Sequence, residues 1–373
     1  MTAHGLTRRD LVRGGAIGAA AALAGVGLHL ALRGAGSPAP VSPPLELIGV
    51  DARGTGFAGT VSGQQFTAWG FNWGGPGEYR DLGVVRKRFS EMRALGANTV
   101  RIHQQFADLT ESPTEANEHE LARLASIVEI AEQEGLYLDI SGNEVWLPAS
   151  APAWYGQLDE ASRWDAQATY WSAVARVCAG SPAVFCYDLL SEPLVGNGVP
   201  NGDWYTGKLG DFYFGQRISL ELAGRRPDDV ARAWVEHLTA AIRAEDKRHL
   251  ITVGLLPDMH MSRFDADAVA PLLDFLAVHV YPQTGRAAES VALVERLAAL
   301  GKPVLIEETY LLAGDVPTLE RFVVGTRPYA AGWLGFYFPG PPGGPRSIQA
   351  ALAQEWLRLF QSYTPTRRRQ SDR

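Results

Sequence analysis

Two stretches of the chain are apolar runs of strand length that end in a carboxylate. The run 183–190 leads to Glu192 just before a proline, and the run 303–306 leads to Glu307 and Glu308. A carboxylate at the end of a buried strand costs desolvation energy unless it has a partner or a chemical role. Cleavage of a glycosidic bond needs two carboxylates facing each other across a cleft, one of them as the acid. These glutamates are therefore candidate catalytic residues.

Other apolar runs also end in polar, titratable or aromatic side chains. These groups are Asn72-Trp73, Arg101-Ile102-His103, Asn143-Glu144-Val145-Trp146, Ser191-Glu192, His279-Val280-Tyr281, Glu307-Glu308, and Trp333 with Phe336 and Tyr337. Function in a barrel collects where the strands end at the carboxyl face. A purely structural barrel would not concentrate such groups there, so we expect them to line one site.

The elements that must position these groups alternate between strand and helix. The predicted strands are 66–72, 98–103, 136–141, 184–190, 249–253, 275–280, 304–307 and 333–338. The predicted helices are 81–95, 118–134, 161–179, 228–246, 265–272, 287–300, 318–324 and 348–360. Eight such units predict an α/β fold of the (β/α)8 TIM barrel type. A doubly wound open sheet is the second candidate, but residues 70–75 do not lead into a helix as its phosphate-binding turn must.

Two segments lie outside this repeat. Residues 45–69 are broken by glycines and predict a small β-hairpin that closes the bottom of the barrel. The long connection 195–225 after the fourth strand is rich in aromatic residues, and long connections in compact domains are often binding walls. We expect it to form an aromatic lid over the cleft.

Composition limits the classes of function. The 373 residues carry a formal net charge of −7 and no basic stripe, which argues against a nucleic acid partner. The two cysteines, Cys178 and Cys186, are compatible with a bridge or with two buried thiols. No cysteine and histidine cluster has metal-ligand spacing, so we expect neither a metal nor another cofactor. Oligomeric state cannot be inferred from the sequence.

The first 40 residues resemble a targeting segment. Thr7-Arg8-Arg9-Asp10-Leu11-Val12 is similar to a twin-arginine export signal, and residues 14–32 follow it without a formal charge. We expect export to the periplasm, cell envelope or exterior, with membrane attachment only if the segment stays uncleaved. The predicted organisation is a signal and linker over 1–40, one barrel domain over 41–363, and a basic tail over 364–373.

The chain resembles the cellulase-type enzymes of glycoside hydrolase family 5, in clan A of retaining glycosidases. The matching pieces are Trp69-Gly70-Phe71-Asn72, Gly96-Ala97-Asn98-Thr99-Val100-Arg101, Tyr187-Asp188-Leu189-Leu190-Ser191-Glu192-Pro193, His279-Val280-Tyr281 and Pro303-Val304-Leu305-Ile306-Glu307-Glu308. Their order and spacing are more specific than any one piece. The resemblance implies a TIM barrel that hydrolyses β-linked glucan, mannan or related oligosaccharides.

The resemblance also implies roles for individual residues. Glu192 would be the general acid/base and Glu308 the nucleophile. Arg101 would keep the nucleophile ionised, Tyr281 would donate a hydrogen bond to it, and His279 would orient the site. Alternation along a strand points neighbouring side chains in opposite directions, so we expect only one of the two adjacent glutamates to face the cleft. The remaining substrate-binding candidates are His103, Asn143, Trp146, Ser191, Trp333 and Tyr337.

The chain departs from the family pattern at several positions. Ser191 stands where the family has asparagine, and Tyr310 stands where glycine is usual. The histidine that often ends the third strand is absent, and Asn143 is the expected replacement. The aromatic platform of the eighth strand is expected from Trp333, Phe336 or Tyr337. These departures predict a divergent member of the family.

The predicted reaction is double displacement with retention, which requires carboxyl groups roughly 5 to 5.5 Å apart. Two other hypotheses about function are compatible with the sequence. A non-catalytic glycan-binding barrel would explain Ser191 and the missing histidine. A metal-dependent or phosphate-binding barrel enzyme is disfavoured by the lack of a ligand cluster and of a glycine-rich turn. The particular sugar, and whether the enzyme acts on chain ends or chain interiors, are not predicted.

Overall fold

The computed structural model describes residues 44–198, 203–209, 211–257, 262–336 and 348–364. Within these ranges eight parallel strands close into a barrel with helices between them, which confirms the predicted (β/α)8 fold. The proposed signal over 1–40, Tyr337 and residues 365–373 of the basic tail lie outside the described residues. No helix in the described part of the chain is both long and apolar enough to cross a membrane.

The strands follow the apolar runs of the sequence. Numbered along the chain they are β1 (Ile48–Val50), β2 (Phe57–Gly59), β3 (Gln65–Phe66), β4 (Ala68–Trp73), β5 (Thr99–Gln105), β6 (Thr110–Ser112), β7 (Glu115–Ala116), β8 (Tyr137–Glu144), β9 (Val184–Ser191), β10 (Pro193–Val195), β11 (Tyr205–Leu209), β12 (Phe212–Ser219), β13 (Leu250–Leu255), β14 (Leu276–His279), β15 (Val304–Thr309) and β16 (Gly332–Gly335). The barrel order is β4, β5, β8, β9, β13, β14, β15, β16, and β16 pairs with β4.

The helices form the outer layer. They are α1 (Leu82–Ala94), α2 (Phe106–Leu109), α3 (Glu118–Glu134), α4 (Glu160–Cys178), α5 (Pro227–Glu245), α6 (Ala266–Val269), α7 (Ala287–Ala298), α8 (Val316–Thr326) and α9 (Ile348–Ser362). Helix α3 has the predicted bounds because both of its ends carry strong signals. The Asn117 side chain accepts a hydrogen bond from the N–H of Glu120, and Gly135 ends the helix at a φ of 67°.

A small antiparallel sheet closes the bottom of the barrel. Strands β1, β2 and β3 pair in sequence order, so the predicted hairpin has a third strand. Phe57 of β2 packs its ring edge-on against Phe185 and Phe275, with ring centroids 5.0 and 5.2 Å away. These rings form an apolar plug at the end of the barrel opposite the carboxyl ends of the strands.

The long connection after the fourth barrel strand is partly ordered into a second small sheet. Strand β12 lies between β10, its parallel partner, and β11, its antiparallel partner. The N–H of Tyr213 donates to the carbonyl of Trp146, 2.8 Å away, which attaches this sheet to the end of the third barrel strand. The sheet therefore stands beside the carboxyl ends of β8 and β9.

The seventh barrel strand is irregular where the two adjacent glutamates lie. Between β14 and β15, His279 pairs with Glu308 while Val278 pairs with Ile306, so one residue of β15 is extra. The pairing with β16 also shifts between Ile306 and Thr309. A β-bulge of this kind breaks the alternation of side chains along a strand.

Both cysteines are buried free thiols, Cys178 on α4 and Cys186 on β9. Burial raises the pKa of each thiol. Neither is therefore a reactive thiolate near neutral pH.

Candidate active site

Glu192 and Glu308 meet at the carboxyl face of the barrel. Glu192 follows the end of β9, Glu308 lies on β15, and they are 6% and 5% exposed. One carboxylate oxygen of each lies within 4.8 Å of the other. Glu192 has a φ of 52°, a strained conformation for a non-glycine residue, and its N–H donates to the Gly254 carbonyl at 2.9 Å. The turn after β9 thus directs this side chain across the barrel axis.

Arg101 supplies a buried positive charge next to Glu308. Its Nη1 donates to Glu308 Oε1 at 2.5 Å and to Asn72 at 3.1 Å. Its Nη2 donates to Asp188 at 2.6 Å and to Ser141 at 3.1 Å. The guanidinium is fully buried and remains protonated, so it holds the Glu308 carboxylate in place in a low-dielectric setting.

Tyr281 donates to the other oxygen of Glu308, at a distance of 2.5 Å. Burial raises the pKa of Tyr281 well above its ordinary value, and the charge of Glu308 adds to this effect. The phenol therefore keeps its proton over the physiological range and acts as a donor. Glu308 thus accepts charge-assisted or short hydrogen bonds at both oxygens, which fix the orientation of its carboxyl group.

His279 lies between the candidate catalytic carboxylates. Its Nδ1 is 3.1 Å from Glu192 Oε1 and 3.4 Å from Glu308 Oε2, and its Nε2 is 3.1 Å from Glu307 Oε2. Burial alone would lower the pKa of His279, but Glu308, Glu192 and Glu307 outweigh it and raise the pKa to about 10. The ring is therefore an imidazolium, and both nitrogens donate.

Glu307 and Glu308 both point into the barrel, so the expectation that alternation points them in opposite directions is wrong. Both contact Arg101, at 3.4 and 2.5 Å, and both contact His279. The bulge in β15 is the physical reason, because it suspends the alternation on which the expectation depended. Glu307 is completely buried, and Glu308 lies above it towards the cleft.

The arrangement of two carboxylates, an arginine, a tyrosine and a histidine at strand ends agrees with a family comparison. The sequence matches the profile of the family described as Cellulase (glycosyl hydrolase family 5) over residues 50–314. The chain belongs to glycosyl hydrolase family 5. The predicted family is therefore confirmed, and the barrel is a glycoside hydrolase domain. A comparison with curated proteins found no match.

Solved structures similar to this family 5 hydrolase share its fold at low sequence identity. The exo-β-1,4-mannosidase Op5Man5 from Opitutaceae bacterium strain TAV5 superposes with a TM-score of 0.64 at 17% identity, over 85% of this chain and 62% of that chain. A GH5_18 protein from Bifidobacterium longum subsp. longum, in complex with Manβ1-4GlcNAc, superposes with a TM-score of 0.62 at 15% identity, over 81% of this chain and 79% of that chain. The catalytic domain of Thermobifida fusca endoglucanase Cel5A superposes with a TM-score of 0.57 at 16% identity, over 84% of this chain and 97% of that chain.

In this family 5 hydrolase, Glu144 rather than Asn143 reaches the site from the third barrel strand. Glu144 Oε1 lies 2.7 Å from Ser141 Oγ, and Glu144 Oε2 accepts a hydrogen bond from the Trp146 indole at 2.8 Å. Burial raises the pKa of Glu144 to about 7. Asn143 is fully buried, and its amide nitrogen approaches the Leu189 carbonyl at 3.4 Å. It has a φ of 55°, and this break in the strand explains why the next residue takes the expected place.

The rings of His103 and Trp146 lie against each other beside Glu144. The rings are 4.8 Å apart, and Phe212 of β12 meets Trp146 edge-on at 6.0 Å. His103 Nε2 is 3.3 Å from Asn72 and its Nδ1 is 3.4 Å from Glu144. Burial and then Arg101 lower the pKa of His103 to about 3, so this ring is neutral. Two histidines of one site thus carry different charges because only one is surrounded by carboxylates.

Trp333 does not provide the expected aromatic platform. Its indole donates to Thr326 of α8 at 3.0 Å and packs against Trp69 at 5.9 Å, so it faces the helical layer. Phe336 instead stands beside Tyr281, with ring centroids 6.0 Å apart. Ser191 precedes Glu192 at the same strand end and is buried.

A lower layer of carboxyl groups was missed by the sequence analysis. Oxygens of Asp139, Asp188 and Glu307 lie within 4.8 Å of one another beneath Glu192 and Glu308. Burial, and then the charge of Glu307, raise the pKa of Asp139 well above its ordinary value and that of Asp188 to about 6. The acidic residues in the predicted strands 136–141 and 184–190 were the available signal, since a charge inside a buried strand must point to a polar interior.

Proposed function

We propose that this family 5 hydrolase cleaves β-linked oligosaccharides with retention of configuration, with Glu308 as nucleophile and Glu192 as acid/base. The supporting observation is the separation of at most 4.8 Å between an oxygen of each carboxylate. A retaining mechanism needs this short separation, whereas an inverting one needs room for a water molecule between the two groups. Arg101 and Tyr281 donate to the two oxygens of Glu308, and these hydrogen bonds hold the carboxyl group in position for attack.

The reaction proceeds in two displacements. Glu308 attacks the anomeric carbon, the bond to the leaving oxygen breaks, and Glu192 gives that oxygen its proton. Glu192, now a carboxylate, takes a proton from water, and the hydroxide formed replaces Glu308 at the anomeric carbon. The enzyme returns to its starting protonation state, and the sugar keeps its configuration.

The substrate class we propose is short chains of β-1,4-linked mannose or glucose. The solved structures named above include an exo-mannosidase and an endoglucanase, and their shared fold makes both sugars the first to test. A non-catalytic glycan-binding barrel is not favoured, because both carboxylates are present with donors that a catalytic pair needs.

An inactivator that traps the covalent intermediate tests this proposal. A 2,4-dinitrophenyl 2-deoxy-2-fluoro-β-glycoside is expected to label Glu308, as read by peptide mass spectrometry. Glu308→Gln and Glu192→Gln are each expected to lower kcat on an unactivated β-glycoside by roughly a thousandfold. Exposed Glu129→Gln on α3 serves as the control with unchanged activity. Label on Glu307, or near wild-type activity of both variants, would refute the assignment.

We also propose that residues 1–40 direct export through the twin-arginine route. The support is the Arg8-Arg9 pair followed by an uncharged segment. A reporter protein fused behind residues 1–40 is expected to leave the cytoplasm. The same fusion with the Arg8→Lys and Arg9→Lys substitutions is expected to stay in the cytoplasm. Equal export of both fusions would count against this route.

A further inference from the structure

Glu307 is a completely buried charge that the two displacements do not use. Burial would raise its pKa, but Arg101 and His279 outweigh this and lower the pKa to about 2, so the group is a carboxylate. A buried carboxylate is costly unless its partners are well placed. Its partners are Arg101 Nη2 at 3.4 Å and His279 Nε2 at 3.1 Å. The better placed of them is therefore the histidine that also contacts the acid/base.

The fold makes room for this pair at Gly254 of β13. A Cβ atom added there would lie 2.8 Å from His279 Nε2 and 3.0 Å from Glu307 Oε2. The same glycine accepts from the N–H of Glu192 at 2.9 Å and donates to Asp188 at 2.8 Å. One residue without a side chain thus fixes the backbone of Glu192 and leaves space for the carboxylate and imidazole behind it.

The neighbours of His279 decide which tautomer it can hold. Five charged or titratable groups face the ring: Arg101, His103, Glu192, Glu307 and Glu308. When Glu307 is charged, His279 Nε2 donates its proton to Glu307 Oε2, and Nδ1 carries a second proton that it donates to Glu192 Oε1. A neutral ring that donated only from Nε2 would instead present an acceptor at Nδ1, and this acceptor would compete for the proton of Glu192.

We propose that Glu307 is a positioning residue for acid catalysis, which holds His279 as a doubly protonated ring so that the proton of Glu192 is directed at the leaving group. This role rests on the proposed function of Glu192. Glu307 acts through His279 and does not touch the sugar. The neighbouring Asp139 is compatible with this role, because its raised pKa keeps it neutral. The negative charge of Glu307 is therefore balanced by His279 and Arg101 and is not repelled by a second carboxylate.

The first test compares leaving groups in Glu307→Gln, which keeps the shape of the side chain and removes its charge. A 2,4-dinitrophenyl β-glycoside departs without help from an acid, whereas a phenyl β-glycoside needs it. We expect the variant to lose roughly tenfold more kcat/KM on the phenyl substrate than on the dinitrophenyl substrate. We also expect the alkaline limb of its pH profile to move, because the ring beside Glu192 loses its positive charge at a lower pH than in the wild type. Equal losses on both substrates with an unmoved profile would overturn the proposal.

Asp246→Asn is the matched control. Asp246 Oδ2 lies 2.5 Å from Nδ1 of the buried His249 at the start of β13, at the opposite end of the barrel. This variant makes the same change of charge beside a buried histidine. It is expected to lower stability and to leave unchanged the ratio of kcat/KM on the phenyl glycoside to kcat/KM on the dinitrophenyl glycoside. If this control variant changed the ratio as well, loss of any buried charge would explain the result, and the proposed role of Glu307 would be overturned.

Two measurements keep the proposal falsifiable if Glu307→Gln does not fold. Gly254→Ala adds a single methyl group against the pair, and it is expected to reproduce the selective loss on the phenyl substrate. Nitrogen-15 spectra of the wild type at pH 8, assigned with His279→Gln, are expected to show both ring nitrogens of His279 protonated. A neutral His279 in the wild type would overturn the proposal. The spectra need no turnover, so absence of hydrolysis of either substrate would count against the proposed function alone.

Discussion

Ser141 carries one hydroxyl proton but lies between two carboxyl groups. Its Oγ is 2.7 Å from Glu144 Oε1 and 2.6 Å from Asp188 Oδ2, and it also accepts from Arg101. A single proton can be donated to only one of these oxygens, so the other carboxyl group must bring its own. Glu144, with its pKa raised to about 7 by burial, is the group suited to hold that proton at mildly acid pH.

Glu144→Gln is expected to change how stability depends on pH. The pKa of Glu144 is raised from 4.5 to about 7 in the folded protein, so its contribution is complete below pH 4.5 and is lost as the pH rises through 7. Glutamine cannot ionise, and the variant should gain roughly 3 kcal/mol relative to the wild type between pH 4.5 and 8. Urea unfolding at both pH values measures this, with Glu129→Gln as the exposed control. A constant difference between wild type and variant would contradict it.

At the scale of elements, two departures from regular structure assemble the site. The bulge in β15 brings two successive carboxylates to the same side of a strand. The small sheet after β9 places Phe212 against Trp146 and is attached to the Trp146 carbonyl by the N–H of Tyr213. Both features place groups that a strand of strict period two could not bring together.

Phe212→Ala tests whether the β11–β12 sheet is a wall for the substrate. Aromatic faces bind sugar rings, and loss of a ring from such a wall weakens binding more than chemistry. We expect KM for an oligosaccharide to rise by roughly threefold to tenfold, with kcat on the dinitrophenyl glycoside nearly unchanged. Tyr213→Ala, on the other face of the strand, is the control. Equal effects of the two variants would indicate a general disturbance of the sheet.

At the scale of the whole molecule, the two ends of the barrel have separate tasks. The carboxyl ends of the strands hold the charged groups, and the opposite end is closed by Phe57, Phe185 and Phe275. Charges at one end and an aromatic plug at the other allow the first to be tuned for chemistry while the second supplies stability.

Phe57→Ala is expected to lower the free energy of unfolding by about 3–5 kcal/mol, because it removes a completely buried ring and leaves a cavity. The pH profile and KM of the folded fraction are expected to stay as in the wild type. Chemical denaturation and steady-state kinetics at a temperature below the transition measure the two effects. A shifted pH profile would mean that the ends of the barrel are coupled.

The sequence by itself determined the barrel, because the apolar runs, the helical segments between them and the order of eight units are local signals that agree with one another. It also identified the strand ends that carry Glu192 and Glu308. Only the tertiary structure decided that Glu307 joins them, that Glu144 replaces Asn143, and that Trp333 faces outward. These placements depend on a bulge, on left-handed residues and on packing between distant strands, and none of these has a periodic signature in the chain.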